Sequence, residues 1–305
     1  MASSFRLGTR GSPLALWQAN MVADAFRAAH GLAPDAIEIV PIRTTGDKVQ
    51  DRALADVGGK ALWTKELDRA LLAGEIDFAV HSMKDVETIR PAEIVIAAMP
   101  PRADVRDRLI GADSLAALPP DPRVGTSSPR RAAQVRRARP DARILLFRGN
   151  VDTRLRKLAD GEADATLLAA AGLDRLGREG VGAVIGIEEM LPAPAQGAVG
   201  VEARADDAEM LGLLAAIDHP ATSLRVRAER ALLAALSADC RSPVAALAEM
   251  ADRDAIHLRA EILNEDGALF ERGEVTFALD DVDAPANLAR SLLNRASPPL
   301  RALFA

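Results

Sequence analysis

The chain has no tyrosine, and seven phenylalanines and two tryptophans supply all its aromatic rings in 305 residues. Proteins that hold single-stranded nucleic acid stack bases on aromatic side chains, so the sequence argues against that class. A single cysteine, Cys240, excludes an internal disulfide, and His30, His81, His219 and His257 form no cluster at zinc-ligand spacing, so no metal is expected. Long apolar runs are missing too: stretches such as Ile94 to Pro101 fall far short of the roughly 20 residues that a membrane span needs. The opening Met1-Ala2-Ser3-Ser4-Phe5-Arg6 lacks a basic segment followed by an apolar one, so it does not read as a secretory signal. The expectation is a cytoplasmic protein without membrane or nucleic-acid partners.

What is present is an ordinary globular balance, 38 Lys+Arg against 44 Asp+Glu with 49% hydrophobic residues, in a chain long enough for two or three domains. The charge is unevenly placed. Between Arg123 and Lys157 lie ten arginines and one lysine against only Asp141 and Asp152, in a chain whose net charge is -6. Such a run can be a solvated face, and Arg136 and Arg139 are expected on the solvent side of a helix starting near 129. Arginine nevertheless dominates the basic residues, and its planar fork favours bidentate recognition of carboxylate or phosphate. A small polyanionic ligand explains the stretch better than nucleic acid does.

Short apolar segments alternate with helix-like ones over the first 220 residues, the pattern of α/β domains. Strands are expected at 4–7, 36–42, 76–80, 93–98, 143–147, 165–169 and 198–203, with a further one near Arg123. Helices are expected near 13–29, 60–73, 129–138, 151–159 and 206–217. The turn-rich passage from Pro100 to Pro122 reads as a crossing into a second lobe, and Leu191-Pro192-Ala193-Pro194 as the way back. After Pro220 come a long helix pattern, strands at 256–262 and 274–279, and a last helix near 284–296, which suggests a C-terminal α+β domain.

Two segments echo one another: Gly8-Thr9-Arg10-Gly11-Ser12-Pro13 and Gly125-Thr126-Ser127-Ser128-Pro129 each leave a strand and enter a helix. Serine before proline is a strong helix start, because the hydroxyl caps free N–H groups and proline fits the first turn. Such a terminus is either merely well capped or an anion site; with Arg10 beside one and Arg130 and Arg131 beside the other, the pair suggests a cleft gripping carboxylates from both sides. Arg148-Gly149-Asn150 offers a third strand-to-helix anion site. Lys84 and Asp85 follow a buried-looking strand, where ligands sit in open α/β sheets. Cys240 lies in a polar turn beside Arg241, a setting that favours a reactive thiolate over a buried hydrophobe.

Together these residues resemble one family over nearly the whole chain, hydroxymethylbilane synthase, also called porphobilinogen deaminase. The likeness runs through Thr9-Arg10-Gly11-Ser12-Pro13-Leu14-Ala15, Val57-Gly58-Gly59-Lys60, Ala79-Val80-His81-Ser82-Met83-Lys84-Asp85, Val124-Gly125-Thr126-Ser127-Ser128, Arg148-Gly149-Asn150-Val151, Ala171-Gly172-Leu173-Asp174-Arg175 and Gln196-Gly197-Ala198-Val199-Gly200. The resemblance implies a transferase that condenses four porphobilinogen molecules head to tail, with release of ammonia, into the linear tetrapyrrole hydroxymethylbilane. It implies a dipyrromethane cofactor joined by a thioether to Cys240, and Asp85 as the catalytic carboxylate. Lys84, Ser128, Arg130, Arg131, Arg154 and Arg175 are implied to hold the cofactor, and Arg10, Ser12, Arg148, Gln196 and Lys60 the substrate. The implied fold is two periplasmic-binding-protein-like (type II) lobes, 1–101 with 197–218 and 102–196, plus a C-terminal α+β domain, 219–305, in a monomer. Glu87, Trp63, Pro129, Asp152, Asp56 and Asp239 depart from the family pattern. A two-lobed binding or sensor protein for a small polycarboxylate is the alternative, but it would need neither Cys240 nor Asp85.

Overall fold

The computed structural model describes residues 5–44 and 64–304, which form two compact units, one running to Ala103 and resuming at Gly197–Ser223, the other comprising Asp104–Gln196 and the chain from Leu224 on. Lys60, Asp56 and Trp63, and the glycine pair at 58 and 59, lie outside the described residues.

In the first unit β1 (Phe5–Arg10) leads into α1 (Pro13–His30), followed by β2 (Ile37–Ile42), α2 (Lys65–Leu72), β3 (Phe78–Ser82) and β4 (Ile94–Ala98). Helix α1 starts where the Ser12 hydroxyl accepts the Ala15 N–H, with Pro13 in the first turn, and stops at Gly31, whose left-handed φ of 61° suits glycine. Its apolar stripe, Ala19, Val22, Ala23 and Phe26, packs on Leu7, Phe78 and Val80 of the sheet; α2 covers the opposite face through Leu67 and Leu71. Two-sided coverage explains why these strands read as continuous apolar runs rather than alternating ones. The sheet has the order β2-β1-β3-β10-β4, where β10 (Val199–Arg204) returns late in the chain and runs antiparallel between β3 and β4.

The second unit repeats this design. Strands β5 (Asp107–Ile110), β6 (Arg123–Thr126), β7 (Arg143–Leu146), β8 (Ala165–Ala169) and β9 (Ala183–Val184) lie in the order β7-β6-β8-β5-β9. Here β5 is the antiparallel member beside β8, as β10 is beside β3 in the first sheet. Two mixed sheets of equivalent order, each completed by a strand from a crossing segment, make the type II binding-protein arrangement. The α3 (Pro129–Ala138), α4 (Val151–Ala159) and α5 (Ala170–Arg175) helices follow β6, β7 and β8.

Beyond β10 come α6 (Ala208–Ala215) and α7 (Pro220–Ala235), then β11 (Val244–Met250), β12 (Ala255–Leu263) and β13 (Phe270–Ala278) in one antiparallel sheet, and α8 (Ala284–Arg295) with the short α9 (Pro298–Arg301). Leu232 of α7, Leu236 just after its end, and Leu288 and Leu292 of α8 pack on Leu258 and Ile262, the core of an α+β layer pair.

Three features differ from the sequence expectation. The passage 100–122 contains β5, and residues 244–250 form a strand that the sequence reading omitted. Arg139 is not a solvent-face residue: its guanidinium donates to the carbonyls of Leu115, Leu118 and Pro119 at 2.9, 3.0 and 2.8 Å and pairs with Asp141. The local loop needs those donors, because its carbonyls have no sheet partner. Arg136 bonds only a carbonyl at an exposed position, that of Glu265, among the described contacts. No helix among the described residues is long and apolar enough to cross a membrane.

Candidate active site

In the first unit, a hollow forms where β1 and β3 end. Arg10 closes β1, Ser12 caps α1, and Asp85 ends the single turn of 3-10 helix Met83–Asp85; all three line the hollow with Gln18 and Ser82. Gln18 and Ser82 fix one another, Nε2 donating to the hydroxyl at 2.9 Å and the hydroxyl donating to Oε1 at 3.1 Å. Behind Asp85 the turn is pinned, since the Met83 N–H donates to the Ala198 carbonyl at 3.1 Å. Glycine is required at 200, where a Cβ would stand 2.0 Å from the Met83 sulfur. Lys84 and Asp85 are half-buried.

Beneath this turn lies a buried polar cluster that the sequence reading did not single out. His81 Nε2 stands 3.1 Å from Glu202, which also receives Arg90 Nε at 2.8 Å, and Arg90 reaches Asp68 at 2.5 Å and Glu87 at 2.6 Å. Burial pushes the Glu202 carboxyl up, but the hydrogen bond and charge of His81 and Arg90 outweigh it and hold the group at about 2. One signal was available: Glu202 stands in the apolar strand Val199-Gly200-Val201-Glu202-Ala203, where only a paired carboxylate is tolerated. Glu87, a departure from the family pattern, also accepts the Thr64 hydroxyl at 2.7 Å.

In the second unit the expected residues collect at helix starts. Ser128 caps α3 by accepting the Arg131 N–H at 3.4 Å, with Pro129 at the first helical position, and Asn150 caps α4 by accepting the Thr153 N–H at 2.9 Å. Arg154 folds back on these loops, its Nε on the Gly149 carbonyl at 3.0 Å and Nη2 on the Ser127 hydroxyl at 3.3 Å. Arg148 and Arg175 are buried, and burial lowers the Arg175 pKa. Arg130 and Arg131, expected to hold carboxylates, each hold one here: Asp107 of β5, at 2.8 and 2.7 Å. Gln196 joins them, its Nε2 reaching the same carboxylate at 2.9 Å.

Cys240 is exposed in the turn between α7 and β11. The Arg241 guanidinium expected beside the thiol is shared with Asp239, which accepts Nε at 3.0 Å and Nη2 at 2.7 Å and raises the arginine pKa, with a smaller contribution from Cys240. Asp239 also accepts the Arg241 backbone N–H at 2.8 Å, so this departure from the family pattern shapes the turn. Asp152, another departure, pairs with Arg178 at 2.5 Å. No group of three or more His, Cys, Asp or Glu able to hold a metal occurs among the described residues.

Type II α/β lobes, a carboxylate at a strand end in the first unit, and guanidinium groups at strand-to-helix turns and an exposed thiol in the second are elements that a transferase acting on polycarboxylates needs. Residues 5–212 match the model of the porphobilinogen deaminase dipyromethane cofactor binding domain, and 223–296 that of the porphobilinogen deaminase C-terminal domain. The chain belongs to the porphobilinogen deaminase family. It is 60% identical over 305 residues to the porphobilinogen deaminase of Sphingopyxis alaskensis, covering 98% of this chain and 96% of that one. It is 52% identical to that of Paracoccus denitrificans, covering 95% and 94%, and 48% identical to the chloroplastic protein of Oryza sativa subsp. japonica, covering 87% and 76%. The binding-protein or sensor alternative is not favoured.

Proposed function

We propose that Asp85 is the catalytic carboxylate and Cys240 the cofactor tether of an enzyme that condenses four porphobilinogen molecules into hydroxymethylbilane, releasing one ammonia at each addition. The placement of Asp85 in the hollow with Arg10 and the Ser12-capped start of α1 carries this reading. Each substrate brings an acetate and a propionate, and Arg10 with the helix start can bind one of them. That leaves Asp85 to accept the pyrrole N–H.

When the aminomethyl C–N bond breaks, its electron pair leaves with nitrogen, which departs as ammonia, and positive charge develops across the methylene carbon and the ring nitrogen. A carboxylate fixed beside that nitrogen stabilises the charge where it appears. The free α-carbon of the other pyrrole ring attacks that methylene carbon, and once the new carbon–carbon bond has formed the attacking ring loses the proton from the same α-carbon, which Asp85 can take. Lys84, adjacent on the same turn, supplies a further cation for the carboxylates of the tethered cofactor.

The cofactor is dipyrromethane, and the donor chemistry fits it: an exposed thiol can form the thioether, and guanidinium groups that stay protonated match its carboxylates. Cys240 would hold it covalently, with Ser128, Arg130, Arg131, Arg154, Arg175 and Lys84 as carboxylate partners. When bound, it supplies the pyrrole α-carbon to which the first substrate is joined. Arg148, Gln196 and Lys60 complete the proposed substrate set. Three separate sheets support functional domains 1–101 with 197–218, 102–196 and 219–305. We further infer a cytoplasmic monomer that uses no metal.

Intact mass tests the tether. The wild-type chain is expected to exceed its 32.3 kDa by two linked pyrrole rings, and Cys240→Ser to lack both the increment and activity. Fully active wild type at the bare mass would remove this reading.

A further inference from the structure

We propose that Asp107 is a positioning residue for the tethered group: it locks Arg130 and Arg131 in one orientation and cancels one of their two charges, so that the pair presents one net cation to one ligand carboxylate. The inference rests on the reading of Cys240 as the tether.

Asp107 is only 1% exposed on β5. Its Oδ2 accepts Arg130 Nη2 at 2.8 Å, and its Oδ1 accepts Arg131 Nε at 3.2 Å, Arg131 Nη2 at 2.7 Å and Gln196 Nε2 at 2.9 Å. One carboxylate therefore gathers three expected binding residues from α3 and from the segment returning toward β10. The remaining bonds are equally fixed. Arg130 Nη1 donates to Gln134 Oε1 at 2.8 Å and to the Leu191 carbonyl at 3.0 Å, and Arg131 Nη1 to the Leu167 carbonyl at 3.0 Å. Gln134 is itself held by Glu261 of β12 at 2.8 Å, a fully buried carboxylate that Arg272 reaches at 2.7 Å. Four structural segments thus converge on the pair.

Donor accounting shows what is left for a ligand. A guanidinium has five N–H groups, and each of these two has three described bonds, so at most two donors remain on each for a ligand. The Arg130 Nε is buried without a hydrogen-bond partner among the described residues, and such a donor is costly to leave unmet. Two buried arginines without Asp107 would repel each other and be strongly destabilised. With Asp107 they form a rigid cation of net charge one, whose residual donors point the same way in every copy. Rigid, neutralised arginines cost a ligand little ordering entropy and select for one carboxylate group over two.

The test uses full-length protein and reads the fraction of chains carrying the mass increment on Cys240. An increment in wild type establishes the tether reading; its absence there would remove that reading before any variant is compared. With wild type loaded, Asp107→Asn is expected to lower the loaded fraction at least tenfold. Asp141→Asn breaks the Arg139 ion pair of 2.8 Å just beyond the C-terminal end of α3, whose opposite end carries Arg130 and Arg131. It is expected to lower the melting temperature yet stay loaded, which separates positioning from general loss of stability. Asp107→Glu keeps the charge but displaces it by one methylene; it is expected to fold and to load severalfold less than wild type, and it decides the matter if the asparagine variant does not fold. Wild-type loading in a folded Asp107 variant, or an equal loss in Asp141→Asn, overturns the assignment.

Discussion

At the scale of single residues, Asp85 and Asp107 sit in contrasting surroundings. Both are carboxylates close to arginine, but Asp85 is half-buried at a hollow while Asp107 is buried in ion pairs with two guanidinium groups. Asp85→Asn is expected to fold and bind porphobilinogen but to turn over on the order of 100-fold more slowly, about 3 kcal/mol of lost charge stabilisation. Single-turnover kinetics with a matched melting curve would check this, and near wild-type turnover would assign the role elsewhere. Cys240 offers a second lesson. Its neighbour Arg241 is held by Asp239 at 2.7 Å and also interacts with the thiol, so the cation beside Cys240 is a partly screened one.

Among elements, the β3–β10 pair borders the hollow that Asp85 lines, and Glu202 beneath it is expected to make that pair acid-sensitive. An ordinary glutamate titrates near 4.3, whereas His81 and Arg90 hold Glu202 at about 2. A depressed carboxyl stabilises the fold above its unfolded pKa and stops doing so as pH falls through the folded value. Hydrogen exchange in β3 and β10 is therefore expected to accelerate between about pH 4.3 and 2. Glu202→Gln should flatten that dependence and cost on the order of 3 kcal/mol at neutral pH, because Arg90 loses a buried partner; unchanged acid dependence in the variant would refute it. The elements also show what a sequence conveys. Ser12-Pro13 and Ser128-Pro129 announced their helices because capping is local chemistry, and the cores of β3 and β8 announced themselves by burial on both faces. Strand β5 did not, being four residues long, half of them charged, inside a proline-rich passage; its Asp107 and Arg108 are buried only because partners far along the chain pair with them. Strand β11 was hidden for another reason: Val244-Ala245-Ala246-Leu247-Ala248-Glu249-Met250 is rich in helix formers, and pairing with β12 overrides that preference. The Arg130–Asp107–Gln196 grouping was illegible on the same grounds, since its two bonds span 23 and 89 residues.

For the whole molecule, the question is how a protein of net charge -6 accepts more negative charge with each turn of its reaction. Every porphobilinogen adds an acetate and a propionate, ionised because carboxyl groups titrate near pH 4, and gives up its ammonium as ammonia. Enzyme with limiting substrate should separate on anion exchange into discrete species about two charges apart. Arg148→Leu should end that series early, while Arg136→Leu should leave it intact; Arg139→Leu should instead lower the melting temperature, since Arg139 staples the 115–119 turn. An unchanged series in Arg148→Leu would show that this arginine does not bear the load. The sheet orders carry a further consequence for how the chain comes to be. Strand β4 pairs only with β10 among the described strands, and β10 begins at Val199. A ribosome adding about 5–20 residues per second needs roughly 5–20 s to go from Ala98 to Val199, and β4 waits unpaired throughout. All strands of the second sheet have been made by Val184. During synthesis, the lobe that begins second can be finished first.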